Sequence, residues 1–235
     1  MNALEAAHAF VAHRFPHCSA AFLAGSVVRA EATSTSDLDI VIVGDDIRAP
    51  YRESFHELGW PIETFVHTHQ SLERFFALDV RDRTPSLPLM CAEGLVIRDT
   101  DATGGVVKAR ALAILEQGPA PLSAQDIRRR RYAISDTLED LIGCNHHSEG
   151  MFIAMHLSCA TADLILGLNR AWSGHGKWVL RALRRWDPVL ANRLAHAVTA
   201  YCRHESKNDL VRITDAALEP VGGRLFAGYR MSGDP

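Results

Sequence analysis

Leu23-Ala24-Gly25-Ser26 and, after a gap of ten residues, Asp37-Leu38-Asp39-Ile40-Val41-Ile42-Val43 are the stretches on which the fold turns. Ala20 to Ala24 is a short apolar run that stops at Gly25-Ser26, the pattern of a buried strand running into a turn. Leu38 to Val43 is rich in β-branched residues and is stopped by Gly44-Asp45-Asp46, so it reads as the strongest strand in the chain. Strand side chains alternate faces, so Asp37 and Asp39 point one way while Leu38, Ile40 and Ile42 point into a core. Two carboxylates side by side repel each other unless a cation lies between them. Hard oxygen ligands completed by phosphate and water are what Mg²⁺ prefers. Glycine at position 25 lets a phosphate approach the backbone, and Ser26 can donate both a hydroxyl and an amide hydrogen bond to it. A strand, Gly-Ser and a helix, followed by a strand carrying Asp-x-Asp, make an anion cradle beside a cation site.

Outward from this stretch, the first hundred residues alternate between strand-like and helical patterns. Residues 3–14 read as a helix with Leu4, Ala7, Phe10 and Val11 on one face. Tyr51 to Leu58 reads as a helix ended by Gly59, and Pro61 to His67 as a third strand. Ser71 is expected to cap a further helix through SLERFF. A helix around Leu87 to Ala92 and a strand from Leu95 to Arg98 close this half. Such alternation means an α/β domain with a mixed sheet. Beyond Asp99-Thr100-Asp101 only helical periods follow, approximately 105–116, 124–142, 150–172, 176–185, 188–204 and 207–219. The boundary is therefore expected near residue 102, with an α/β domain over 1–102 and an all-α helical bundle over 103–235.

Composition excludes several classes. The chain has 235 residues and a net charge of -3, so no global basic field draws it to nucleic acid or anionic lipid. The apolar run from Phe152 to Leu168 is interrupted by His156, Ser158 and Asp163, which makes it a core helix rather than a membrane span. The N-terminal segment carries Glu5 and His8 and does not read as a signal peptide. The five scattered cysteines form no disulfide framework, which points to a reducing cytoplasm.

Hydrophobic-Gly-Ser, about ten residues, then Asp-hydrophobic-Asp-hydrophobic resembles the signature of the nucleotidyltransferase superfamily, the DNA polymerase β-like fold. The motif covers Leu23 to Val43, and the α/β pattern extends the resemblance to about residue 100. The resemblance implies that Asp37 and Asp39 hold Mg²⁺ and that a third carboxylate lies on a following strand. Glu63 in Ile62-Glu63-Thr64-Phe65-Val66 supplies it, as metal ligand or as the base for the acceptor's proton. The same resemblance makes Gly25 and Ser26 the nucleotide-binding turn. It implies attack by an acceptor hydroxyl on the α-phosphate of ATP or another nucleoside triphosphate, with release of pyrophosphate. An α/β domain followed by helices is the layout of two-domain transferases of small molecules, the aminoglycoside-modifying members among them, and many of these form homodimers.

Within the helical half, Asp136, Glu139 and Asp140 share the polar face of one helix, and Asp140 is the candidate for binding a cationic acceptor. Lys177, Arg181, Arg184 and Arg185 make a basic stripe on another, with Lys177 the candidate for contacting the triphosphate. Arg128 to Arg131 reads as a solvated charge run. Cys144, His146, His147, His156 and Cys159 have no dependable zinc spacing. Gly222-Gly223-Arg224 reads as a turn that lets the C-terminal tail dock. His67-Thr68-His69 reads as a loop beside the cleft. Three alternatives stand beside a small-molecule transferase: a protein-adenylylating antitoxin, a non-catalytic nucleotide-binding module, and a ribonuclease-like helical toxin using Arg170 and His175.

Overall fold

The computed structural model describes residues 1–231, which divide into two compact units, Met1–Gly118 and Pro119 onward. The first unit opens with helix α1, Ala3–Arg14, whose first turn is closed by Asn2 and Glu5 capping each other's backbone amides. Strands β1 (Ala20–Ala24), β2 (Leu38–Val43), β3 (Tyr51–Glu57) and β4 (Trp60–His67) follow. Helices α2 (His69–Arg81) and α3 (Ser86–Glu93), strand β5 (Leu95–Asp99) and helix α4 (Thr103–Gln117) complete the unit.

The sheet is mixed, in the order β3-β4-β2-β1-β5. β2 and β4 run parallel, and the other neighbours are antiparallel. One face is buried under α1, where Ala6, Ala7, Phe10 and Val11 pack on Leu23, Leu38, Ile40, Ile42, Ile62 and Val66. Leu38, Ile40 and Ile42 thus enter the core as the alternation requires. α2 and α3 pack over the opposite face, on the side of Phe65 and His67. The join between α3 and β1 is tight: a Cβ on Gly94 would lie 2.4 Å from the Met90 carbonyl oxygen and 3.1 Å from that of Leu23.

Four local expectations change. Residues 51–57 are a strand, not a helix, because Leu58 and Gly59 both adopt positive φ, 55° and 82°, and turn the chain back into a hairpin with β4. A glycine in that conformation ends a helix equally well, so the local signal was the same for both readings. After Gly25, residues 26–30 form a turn rather than a helix, closed by the Glu31 amide donating to the Ser26 carbonyl at 3.0 Å. The cap of α2 is Thr68, with Ser71 returning the bond to the Thr68 amide at 2.9 Å. His67 is the buried last residue of β4, not a loop residue. Helix α4 packs on α3, β1 and β5 through Val107, Ala111 and Ile114, so the first unit runs on to Gly118.

The second unit is helical: α5 (Ala124–Gly143), α6 (His147–Leu168), α7 (Lys177–Trp186), α8 (Pro188–His204) and α9 (Asn208–Leu218), then a short 3-10 turn, Glu219–Val221. Among the described residues α6 is the one helix long and apolar enough to cross a membrane. Its Ala154, Leu157, Leu164 and Leu166 are fully buried against Leu138, Leu183, Tyr201 and Leu210, as a core helix requires. The Arg128–Arg131 run holds other parts of the unit together instead of facing solvent alone. Arg131 donates to the carbonyls of Gly222, Gly223 and Arg224, Arg128 to that of Gly228, and Arg130 pairs with Asp163. Tyr229 stacks on Tyr132 with ring centroids 3.9 Å apart, so the tail docks on α5 after the glycine turn.

Candidate functional site

Register builds the site. Asp39 lies opposite Ala24 on β1 and opposite Glu63 on β4, and Asp37 immediately precedes β2. Paired residues of neighbouring strands point to the same face, so the carboxylates of Asp39 and Glu63 meet. Ligand oxygens from Asp37, Asp39 and Glu63 all lie within 4.8 Å of one another, each half-buried. Among the described residues this is the one group of three or more metal-capable side chains that converges.

Electrostatics make the cluster costly when empty of cation. Burial raises the Asp39 carboxyl to about 6, helped by the negative charges of Asp37 and Glu63 and opposed by Arg29 and Arg52. Three acids around one point, one of them held out of its ordinary range, fit a divalent cation coordinated by oxygen.

Gly25 is required by that geometry. Its φ is +81°, and a Cβ there would sit 2.2 Å from the Asp39 carboxylate oxygen Oδ2. Any side chain would displace the acid. Beside it Ser26 Oγ donates to Ser36 Oγ at 2.9 Å, and Ser36 Oγ accepts the Thr33 amide at 2.8 Å, which folds the turn back on itself. The backbone at positions 25 and 26 thus lies directly against the carboxylates, as an anion cradle beside a cation site would.

No protein-family model matches the sequence, and no curated protein matches it. Among solved structures the chain is similar to a nucleotidyltransferase-like protein from Exiguobacterium sibiricum, at 11% identity and a TM-score of 0.47, over 94% of this chain and 74% of that one.

The sequence-predicted residues divide between the units. Gly25, Ser26, Asp37, Asp39 and Glu63 come together in the first. Asp140 is exposed on α5 and Lys177 is the exposed first residue of α7, both in the second unit. Of the acids that share a face with Asp140, Glu139 is taken up by Arg224 at 2.7 Å. Arg170 and His175 lie outside any helix, since α6 ends at Leu168 and α7 begins at Lys177, so the helical toxin pattern is absent.

Three polar neighbours of the site escaped the sequence reading. Arg52 on β3 forms an ion pair with Glu63, and Ser54 Oγ donates to the same carboxylate at 3.3 Å. Arg29, in the turn after Ser26, is close enough to oppose the rise of the Asp39 carboxyl, and it also pairs with Glu31 and Glu93 at 3.3 and 3.4 Å. Arg52 and Ser54 would have been legible had residues 51–57 been read with a period of two, which sends both toward the face of Glu63.

Proposed function

We propose that this chain is a nucleotidyltransferase that moves a nucleoside monophosphate, AMP from ATP, onto a hydroxyl of a small-molecule acceptor and releases pyrophosphate. The observation that carries the reading is the convergence of Asp37, Asp39 and Glu63 against a glycine that only the absence of a side chain allows. Asp37 and Asp39 would hold one or two Mg²⁺ ions, with Glu63 as a third ligand or as the base for the acceptor's proton. A bound divalent ion there supplies charge neutralisation for the transferring phosphate and lowers the pKa of an oxygen nucleophile.

The chain's own groups do the rest. The backbone amides at Gly25 and Ser26 would receive the phosphates, joined by the Ser26 hydroxyl once it turns from Ser36, and Arg29 contributes positive charge on the same side. Asp37 and Asp39 fix the carboxylate geometry. Glu63, on the neighbouring strand, would take the acceptor's proton where it acts as base, and its carboxylate is paired with Arg52 and accepts from Ser54 Oγ. Most of the catalytic effect in such a site comes from positioning and charge complementarity. A reducing cytoplasm suits the five free cysteines.

Calorimetric titration of a non-hydrolysable ATP analogue, with and without Mg²⁺, on wild type and Asp37→Ala/Asp39→Ala tests the reading. Metal-dependent binding to wild type that disappears in the double variant is expected. Absence of nucleotide binding under any metal condition would overturn it.

A further inference from the structure

A cavity of about 320 Å³ opens on the face of the sheet that carries the carboxylates. Glu63, Phe65 and His67 follow one another along that face of β4, so the cavity begins one step of two residues beyond Glu63. Arg52 bridges the two places: it pairs with Glu63 and its guanidinium lies 4.9 Å from the Phe65 ring centroid. Phe75 from α2 meets His67 edge-on at 5.0 Å, and Met90 from α3 closes the far wall.

Sheet order gives this cavity a direction. Gly25 and Ser26 follow β1, Asp37 precedes β2 and Asp39 lies on it, Glu63 lies on β4, and the strand residues of the cavity belong to β4 and β3. The phosphate cradle and the cavity therefore lie on opposite sides of the carboxylates. Phosphoryl and nucleotidyl transfer run in line, with the attacking oxygen opposite the leaving group. If pyrophosphate leaves from the Gly25–Ser26 side, the nucleophile arrives from the cavity side.

The walls define its chemistry. Phe65, Phe75 and Met90 offer flat apolar contact, suited to stacking and edge contact with a ring. Charge inside the cavity is close to balanced, since Arg52 is held by Glu63 and Asp79 is the one other charged residue of the lining. Arg52 stands at its rim, and burial pushes the His67 ring down to about 4, leaving it neutral at pH 7. The one carboxylate, Asp79, already accepts the Leu87 amide at 2.8 Å and caps the start of α3, and burial raises its pKa. A polycationic ligand would find one carboxylate among the apolar walls, and that one is already hydrogen-bonded.

We propose that this cavity is the acceptor subsite and that it takes a small uncharged aromatic compound whose hydroxyl is directed at Glu63. The inference rests on the transferase reading of the same site. In the reaction the acceptor oxygen forms a bond to the α-phosphorus while the bond to the bridging oxygen breaks. The hydroxyl proton passes to the Glu63 carboxylate, and the electron pair of the broken bond leaves on pyrophosphate.

The test uses the full chain, 2-naphthol as aromatic probe, kanamycin as polycationic control and a non-hydrolysable ATP analogue with Mg²⁺. Binding is read by ligand-detected NMR and calorimetry. Met90→Trp fills the cavity and Phe75→Ala removes a wall, and circular dichroism checks that each is folded. The expected result is naphthol binding that weakens at least tenfold in either folded variant, analogue affinity within twofold of wild type, and no kanamycin binding in the cavity. Naphthol binding indifferent to both variants would overturn the inference. So would a tenfold loss of analogue affinity, which would make the cavity the nucleobase site, or kanamycin binding that Met90→Trp abolishes. Failure of the analogue to bind wild type with Mg²⁺ would instead remove the transferase reading, and with it the acceptor role.

Discussion

Replacing Asp39 with asparagine should make the metal-free protein more stable at neutral pH, although it removes a residue of the proposed active site. The folded-state carboxyl is raised from 3.8 to about 6, chiefly by burial and then by Asp37 and Glu63. The net rise already contains the opposing attraction of Arg29 and Arg52. A group whose folded pKa lies above its unfolded value contributes most below the unfolded pKa, and that contribution is lost as pH rises through the folded pKa. Stability should therefore fall between pH 4 and pH 6, with the full penalty present above. At about 1.4 kcal/mol for each pH unit, the ionised Asp39 costs up to about 3 kcal/mol at pH 8. Asparagine has nearly the same shape and no charge, so it recovers most of that, or roughly 6–12 °C in Tm for a chain of this size. The assay is a pair of thermal melts in EDTA, wild type against Asp39→Asn, from pH 4 to pH 8. The gain should be about a fifth developed at pH 4, about half at pH 5 and full at pH 8. Adding MgCl₂ at pH 8 should raise the wild-type Tm and leave the variant almost unmoved. An asparagine variant that is less stable at pH 8, or a gain that does not change with pH, would refute the reasoning.

Gly25→Ala should abolish nucleotide binding and lower Tm, because its Cβ meets the Asp39 carboxylate and its φ lies in the left-handed region; calorimetry and a melt read the two effects. Glu63→Gln should retain the ATP analogue within a few-fold while turnover falls about 10²–10⁴-fold, the range of a lost general base, measured by pyrophosphate release once an acceptor is found. Arg131→Ala should release the tail that its guanidinium holds by three carbonyls, costing about 1–3 kcal/mol and exposing residues 222–230 to limited proteolysis. In the native protein at pH 8, exposed Cys202 should react first with a disulfide reagent, whereas Cys91, whose thiol burial pushes up to about 12, should react only after unfolding.

The chain's order alone carried the features that depend on near neighbours. LDIVIV is a nearly unbroken apolar run because β2 is a central strand covered on both faces, and the alternation of side chains along a strand aligned Asp37 with Asp39. The helices of the second half follow from their apolar periods and their Gly or Pro breaks; α5, α7, α8 and α9 lie within one or two residues of the expected spans. Tyr51–Glu57 was not legible because its identity is set by hydrogen bonds to β4, a partner across the turn, and seven mostly exposed residues carry little pattern of their own. The turn after Ser26 likewise depends on Ser36, ten residues on, and the docking of the tail on arginines of α5 far back in the chain. Glu63 stood between the two cases. Its strand could be read locally, but only the parallel register of β4 on β2 sets it opposite Asp39, and only β3 brings Arg52 to it. Two carboxylates and a glycine were a property of the sequence. That three acids, an arginine and an aromatic cavity share one face was decided by strand pairing, whose free energy is gained between residues that the order of the chain keeps apart.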